Sequence, residues 1–438
     1  MPPENKPISD QDSYNPLVPV PADKRSLTAR DAFSLWFSLG IGLLVLQAGA
    51  LLVPGLSLGE ALIAIGTGSL VGAALLALAG VVGADSGLAT IAALRPTLGV
   101  RGASIAAVLN IIQLIGWGAF EIIAMRDAAK TLFHHSTAMS AVWTIVFGLA
   151  ATSLAIMGPL SFVRRFLRHW GMWLLLLGAA WLSYALLSRH DLMSLFSRPG
   201  TGALSLGGGI DVVVAMPLSW LPLIADYSRF GRTSKAMFKG SAGGYLLANI
   251  WFFSLGAAYA LVAAKDPEGM LLSALATTGG GLALLLILID ETDNVFADIF
   301  SAATSTATLF PFQIRHLAIG FGALCTLIAL FVPMTSFIDF LYMIGSVFTP
   351  LYGVLLVDHF IVRRRQVLTN EISRLTGPYG FTAGVHLSAF ASWGAGIATY
   401  YYFLHLLPAA GATLPALFMA GFIYWGLSKV FVAEQSVP

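Results

Sequence analysis

Four carboxylates, Asp290, Glu291, Asp293 and Asp298, fall inside a run over 282–309 that is otherwise apolar or hydroxylic and long enough to cross a bilayer. An ionisable group at that depth costs about 3 kcal/mol, so such residues face a cavity and mark the path of a substrate or ion. Helical spacing puts Asn294 and Asp298 on one face, with Asp290 and Asp293 one turn earlier on nearly the same side. The membrane-compatible residues between Asp298 and Pro311 hold the cluster away from that end of the run. A second stripe, Asn110, Gln113, Trp117 and Glu121, recurs at steps of three or four residues and shares one helix face. A tryptophan beside a carboxylate offers a flat surface for stacking and an acceptor for in-plane hydrogen bonds. The only cation near Glu121 in the chain is Arg126, off that face, so a local ion pair does not account for it.

The elements that must hold these residues are membrane helices. The chain has 438 residues, 57% of them hydrophobic and 11% charged, with a mean hydropathy of +0.81. That composition excludes a soluble globular domain and predicts an all-α polytopic membrane protein. A net charge of +2 points neither to nucleic acid nor to an acidic partner. The single Cys325 can form no intrachain disulfide. Twelve apolar spans are expected, over 33–53, 59–82, 103–126, 139–158, 167–188, 209–226, 240–264, 279–309, 314–332, 336–358, 384–406 and 410–432. They follow a polar, proline-rich stretch over 1–32 that reads as a disordered cytoplasmic tail. With that tail inside, only Arg126, Lys130, Arg189, Arg198 and Lys265 of the 24 basic residues fall on the far side. The bias places both termini in the cytoplasm, in a cytoplasmic (plasma) membrane.

Two spans are interrupted. The first carries Gly40, Gly42, Gln47 and Gly49 ahead of Pro54, and the sixth carries Pro217 and Pro222 around Trp220. Backbone groups freed by such residues must be satisfied by a neighbour, water, an ion or a ligand. Breaks at corresponding positions of two halves point to an inverted-repeat transporter with its site at mid-membrane. The repeats would be 33–188 and 209–358, with two further helices over 384–432. The third span would then partner the eighth, and both would face the cavity.

Other patterns have plainer explanations. Gly55-Leu56-Ser57-Leu58-Gly59 matches a nucleophile elbow but lies between helices, without the strand that would expose the serine. His134 and His135 lack metal-ligand spacing. Gly68 with Gly72, and Gly240 with Gly244, suit close helix packing. Arg363–Arg365 reads as a cytoplasmic anchor.

Gly87-Leu88-Ala89-Thr90, running on to Arg95-Pro96-Thr97-Leu98-Gly99-Val100-Arg101-Gly102, resembles the loop after the second helix in nucleobase:cation symporter family 1, which includes cytosine permease and the hydantoin transporter. Leu98 stands where that family usually has phenylalanine. Asp226-Tyr227-Ser228-Arg229-Phe230 resembles the family's signature closing the sixth helix, with Ala225 where proline is frequent. The segment from Pro217 through Trp220 and Pro222 to Asp226 is similar to the CytX subgroup, which is associated with hydroxymethylpyrimidine, a thiamine precursor. The likeness covers about residues 28–360.

The resemblance implies a LeuT-type fold, five plus five inverted helices with discontinuous helices 1 and 6, plus two more. It implies a transporter rather than an enzyme. It also implies that Trp117 stacks on a heterocyclic substrate, with Glu121 where an amide is usual one turn on. Trp220 would be a second stacking residue, and Asn294 with Asp298 would read the ring edge, Gln113 and Gln47 completing the polar lining. The eighth helix of the family carries paired hydroxyls for sodium; here Thr292 is followed by Asp293. Backbone near Gly40 and Gly42 with Thr292 and Asp293 would hold the coupling ion, Na+ being favoured and H+ on Asp293 the alternative. No other cofactor is expected, and oligomeric state is not legible.

From these carboxylates we expect an aminopyrimidine, hydroxymethylpyrimidine first. Its exocyclic NH₂ beside a protonated ring nitrogen matches one carboxylate, whereas a carbonyl edge meets it acceptor to acceptor. A cytosine, purine, hydantoin or allantoin permease of the same family is the alternative. A channel would need a continuous polar pore, and an intramembrane enzyme a nucleophile with its base; neither pattern is present. The charge distribution makes one direct prediction. Reporter fusions should place Arg189 and Lys265 outside the cytoplasm, and a cytoplasmic signal at either would overturn the topology.

Overall fold

The computed structural model describes residues 15–133, 137–158, 171–263, 274–276 and 280–435. The expectations for His134 and His135, for Arg164, Arg165 and Arg168 as basic residues on the cytoplasmic side, for Lys265, and for residues 1–14 lie outside the described residues.

Helix α1 (Ala29–Ser38) begins at a capping box. The Thr28 hydroxyl accepts from the Asp31 N–H, and the Asp31 carboxylate accepts from the Thr28 N–H at 2.9 Å. The chain leaves the helix over Gly40, Ile41 and Gly42 and resumes as α2 (Leu43–Ala50), bent by 60° from α1. Then come α3 (Leu58–Ser86), the short α4 (Thr90–Leu98), α5 (Gly102–Phe133), α6 (Thr137–Met157), α7 (Met172–Arg189) and α8 (Leu192–Phe196). The second interrupted segment is α9 (Leu206–Ser219), a four-residue turn, and α10 (Ile224–Ser228). It is followed by α11 (Ser234–Ala263), α12 (Gly281–Asp290), α13 (Thr292–Ala307), α14 (Ile314–Phe331), α15 (Phe337–Val357), α16 (Leu387–Leu406) and α17 (Thr413–Gln435).

Length and apolarity single out 7 membrane-spanning helices among the described residues, or 8 with α1–α2 taken as one bent span, against the twelve expected. The shortfall comes from the interrupted segments α9–α10 and α12–α13 and from α16 and α17. The chain is an integral membrane protein. Both breaks fall where glycine and proline had placed them. The interruption between α12 and α13 was not expected. Glu291 separates them because the Thr292 hydroxyl donates to the Ile289 carbonyl and the Asn294 N–H turns to the Glu291 carbonyl at 3.1 Å.

A disordered tail over 1–32 overstates the freedom of its second half. The Val20 N–H donates to the Gly87 carbonyl at 2.9 Å, and the N–H groups of Ser26 and Leu27 both reach the Phe230 carbonyl at 2.9 Å. Arg25 donates to the carbonyls of Val20 and Ala84, each at 2.9 Å, and so closes the end of α3. Proline and charge had suggested solvation, but the carbonyls left over at a helix end supply partners instead.

Small residues set how close the elements come. α3 carries Gly68 and Gly72 against Val213 and Pro217 of α9. α11 carries Gly240 and Gly244 against the backbone of α1 at Ala29 and Phe33. The crossing of α2 and α11 is reciprocal. A Cβ on Gly49 would lie 2.3 Å from the Phe253 carbonyl oxygen, and one on Gly256 would lie 2.0 Å from that of Leu46. Ser57, the serine of the elbow-like pattern, caps α3 in a box with Glu60, which explains it without chemistry. At the arginine-rich end of the bundle, Asp85 of α3 accepts from Arg365 at 2.7 and 2.8 Å. Asp358 accepts there from Thr97, Arg363 and Tyr424 at 2.7 to 2.8 Å.

The reciprocal crossing yields a stability prediction. Gly256→Ala should lower the thermal midpoint of the purified protein by the equivalent of about 1–3 kcal/mol, since backbone cannot give way as a flexible side chain does. Gly66→Ala, with nothing within 4 Å of its added Cβ, should be neutral. Equal midpoints for the two variants would show that the α2–α11 contact does not limit stability.

Candidate functional site

The two interrupted segments meet α5 and α13 around a small cavity of about 10 Å³. Its lining includes Gly42, Leu44 and Val45 from the first break, and Ser219, Trp220 and Leu223 from the second. Trp117 and Glu121 enter from α5, and Glu291, Asn294 and Asp298 from the α12–α13 segment. Thus Trp117, Glu121, Trp220, Gly42, Asn294 and Asp298, singled out from sequence, share one wall system, although Trp117 and Asp298 are 181 positions apart by their own numbering.

The tryptophans are fixed by other rings. Trp117 meets Phe337 and Phe340 of α15 edge-on, with centroids 5.8 and 5.4 Å apart. Trp220 meets Trp36 of α1 edge-on at 6.1 Å. Such contacts hold a large flat side chain in one rotamer and so preorganise a stacking surface. The Trp117 Nε1–H has no hydrogen-bond partner although it is buried.

The carboxylates are equally enclosed. Glu121 is 4% exposed, Glu291 0% and Asp298 2%. Glu121 and Glu291 lie close enough to share a hydrogen bond, and Glu291 takes another from the Asn294 amide, whereas Asn294 Oδ1 has no partner. Arg126 turns away from Glu121, donating to Asp127 and to the Ala329 carbonyl, each at 2.9 Å. Among the described residues no lysine, arginine or histidine lines the cavity. The site therefore presents acceptors from two sides to whatever lies between its aromatic rings.

Glu291 is the residue that sequence reasoning placed in the acidic cluster but assigned no role. Its Oε2 accepts the Leu43 N–H at 2.8 Å and so caps the N-terminus of α2 across 248 positions of sequence. Gly42 lies against the same group. A Cβ there would sit 3.0 Å from Asn294 Nδ2 and 3.1 Å from Glu291 Oε1. The signal that could have found this cap is the glycine at the N-cap of α2, Gly42, which brings no side-chain acceptor and leaves the first N–H groups to a distant one.

The remaining expected site residues are placed elsewhere. Gln113 donates to Asn110 Oδ1 at 2.8 Å and does not line the cavity. Gln47 is buried on α2 and outside the lining. Gly40 packs against Ala248 and Tyr245 of α11. The Thr292 hydroxyl is turned to the Ile289 carbonyl. Asp293 points away from the cavity lining to α1, where its Oδ2 accepts from the Ser38 hydroxyl at 2.6 Å while Oδ1 has no partner. The Asp290 side chain lies outside the described residues. The motifs carrying the family resemblance touch one another, Asp226 accepting the Thr90 N–H at 2.8 Å.

A family profile described as permease for cytosine/purines, uracil, thiamine, allantoin matches residues 19–426. The chain belongs to this family of transporters. Among its relatives is the allantoin permease of Bacillus subtilis (strain 168), 26% identical over 341 residues, which are 66% of each chain. Thiamine transporter THI72 of Saccharomyces cerevisiae is 27% identical over 116 residues, 24% of this chain and 19% of that one. The chain thus matches just under two thirds of the first relative and about a fifth of the second. The fold is that of Mhp1, a nucleobase-cation-symport-1 family transporter solved in a closed conformation with bromovinylhydantoin bound. The two superpose with a TM-score of 0.80 over 96% of both chains at 19% identity.

The cap makes a prediction of its own. Glu291→Ala should destabilise the protein by about 1–2 kcal/mol, the worth of a lost helix cap that leaves an N–H buried. Glu291→Gln, which keeps an acceptor for Leu43, should recover most of it. Thermal unfolding of the three proteins in one detergent checks this, and equal losses in both variants would show that the charge, not the cap, matters.

Proposed function

We propose that the cavity binds a small heterocycle carrying an exocyclic amino group, with hydroxymethylpyrimidine the favoured substrate. The chain would carry it inward across the cytoplasmic membrane with a coupling ion. The observation supporting this reading is the buried pair Glu121 and Glu291, two carboxyl groups that meet each other in a lining without basic residues among the described residues. An amino edge donates to them. A uracil-like edge brings carbonyl oxygens instead and leaves groups unpaired at about 1–3 kcal/mol each. Trp117 and Trp220 would sandwich the ring, and Asn294 would read a ring nitrogen or a hydroxymethyl group. A second reading, a hydantoin or allantoin substrate, is favoured by the carboxamide of Asn294, which can donate to a ring carbonyl, and by the relative described as allantoin permease.

The coupling ion is proposed at the first break. Asp293 Oδ1 is a buried oxygen without a partner beside α1, which suits a hard cation or a proton. Na+ is favoured, with backbone near Gly40 and Gly42 and the Thr292 oxygen completing the set, and H+ on Asp293 is the alternative. Two broken segments, α1–α2 and α9–α10, each facing one of α5 and α13 across the cavity, support two inverted repeats over 33–188 and 209–358, with 384–432 appended and both termini cytoplasmic.

Uptake by proteoliposomes tests the reading, comparing aminopyrimidines, oxopyrimidines, purines, hydantoins and allantoin under separate Na+ and H+ gradients. Hydroxymethylpyrimidine should be preferred. Glu121→Gln should weaken its uptake at least about tenfold, the worth of one charge-assisted hydrogen bond, and Trp117→Ala should weaken every substrate. Preference for uracil or a hydantoin, or normal uptake by both Glu121→Gln and Asp298→Asn, would sink the aminopyrimidine assignment. Uptake unchanged when a large organic cation replaces Na+ but abolished with the H+ gradient would move the coupling to Asp293 as a proton carrier.

A further inference from the structure

Asn110 is the one member of the α5 stripe with no buried side-chain polar atom left without a partner. It is 0% exposed. One amide hydrogen of Nδ2 goes to the Pro222 carbonyl and the other to the Ser305 hydroxyl, each at 2.9 Å, while Oδ1 accepts from Gln113 at 2.8 Å. Its three partners lie on the turn between α9 and α10, on α13 and on α5.

Pro222 makes this contact specific. In an unbroken helix its carbonyl would accept from the N–H four residues on, that of Asp226, but this N–H goes instead to Leu223 at 3.0 Å. The Pro222 carbonyl is thus one of the groups that the break sets free, and deep in a membrane protein a neighbour has to satisfy it. Asn110 is that neighbour. Trp220, two positions earlier, lines the cavity, so a contact that seats Pro222 also seats the ring.

Position along the bundle gives the contact a direction. Asn110 precedes Trp117 on α5, and Ser305 follows Asp298 on α13, each by seven residues. Seven residues make about two helical turns, roughly 10 Å. Both displacements run toward the end of the bundle that carries Arg95, Arg101, Arg229 and Arg315. The hydrogen-bonded triad therefore bridges the α9–α10 turn, α5 and α13 on one side of the cavity only.

We propose that Asn110 is a positioning residue for transport: it fastens the turn between α9 and α10 to α5 and α13, shuts the cavity on its arginine-rich side, and releases the Pro222 carbonyl when that side opens. The substrate never touches it. The Ser305 hydroxyl and Gln113 keep the amide oriented while it is released, so the turn can be recaptured without a search among rotamers. This role is independent of which heterocycle or ion is carried.

Hydrogen–deuterium exchange on the full-length protein in nanodiscs, without added substrate, separates this role from a general structural one. Asn110→Leu keeps the volume of the side chain and removes both donors. Exchange in peptides covering 220–230 should rise about tenfold, while peptides from α3 and α11 keep their wild-type rates. Ser305→Ala, which loosens the amide but leaves its bond to Pro222, should raise the same peptides by a smaller factor. Single-cysteine labelling at Ser228, in a Cys325→Ala background, should become faster from the arginine-rich side in Asn110→Leu. Unchanged exchange over 220–230, a rise spread evenly over all helices, or labelling no faster than in the parent would each overturn the proposal.

Discussion

The bond from the Leu43 N–H to Glu291 is the contact on which the arrangement of the cavity depends. Helix α2 starts in the middle of the protein, where its first residues, Leu43, Leu44 and Val45, are buried, and its N-cap, Gly42, brings no capping side chain. An N–H buried without an acceptor costs about 1–3 kcal/mol. The acceptor comes from the link between α12 and α13, and it is a carboxylate, which also suits the positive end of the helix dipole. Because the bond is short, 2.8 Å, α2 and α13 cannot drift apart, and the side chains that follow Glu291 on α13 face the same space as the residues that follow Gly42.

The second break solves the converse problem. It frees a carbonyl where the first exposes N–H groups, and a proline leaves no N–H of its own to complicate the account. The partner is accordingly a neutral donor, Asn110, rather than an acid. Each interruption is therefore met by a group of the opposite hydrogen-bonding sense, one from the link between α12 and α13 and one from the continuous helix α5, and the cavity is the space left between the two breaks. Polar residues that looked like one functional stripe on α5 divide by this rule. Trp117 and Glu121 line the cavity, whereas Asn110 spends its amide on the backbone of the break and on Ser305, and Gln113 gives its Nε2–H to Asn110.

That division marks how far residue types and spacing carry. Gly40, Gly42, Pro217 and Pro222 announced both interruptions because their effect on a helix is local. Trp117, Glu121, Asn294 and Asp298 could be placed on helix faces by period alone, and those faces do meet. Gln113 was misleading because period reports a face and not a partner; only the position of Asn110 shows that the amide is already engaged. The break at Glu291 was hidden in an unpunctuated run, since it depends on a threonine turning its hydroxyl back onto the helix. The pinning of residues 15–32 was hidden too, because the carbonyls that hold Arg25 belong to the far end of α3.

The crowding of carboxyl groups at the cavity follows from the same geometry. Glu121, Glu291 and Asp298 are buried in one lining that contains no basic side chain, yet three ionised carboxylates so enclosed would repel one another and lose their hydration. The Leu43 N–H relieves one oxygen of one of them. Ser38 relieves one oxygen of Asp293 nearby, outside the lining. What remains is a standing demand for positive charge or for hydrogen-bond donors at a place that two aromatic rings keep narrow and flat. On the proposed reading a cation at the first break would answer it in part, and a planar donor-rich ring would answer it at the cavity. Each occupant would lower the electrostatic cost that the other would face alone, and their binding would then be coupled through the carboxylates without any need for the two to touch.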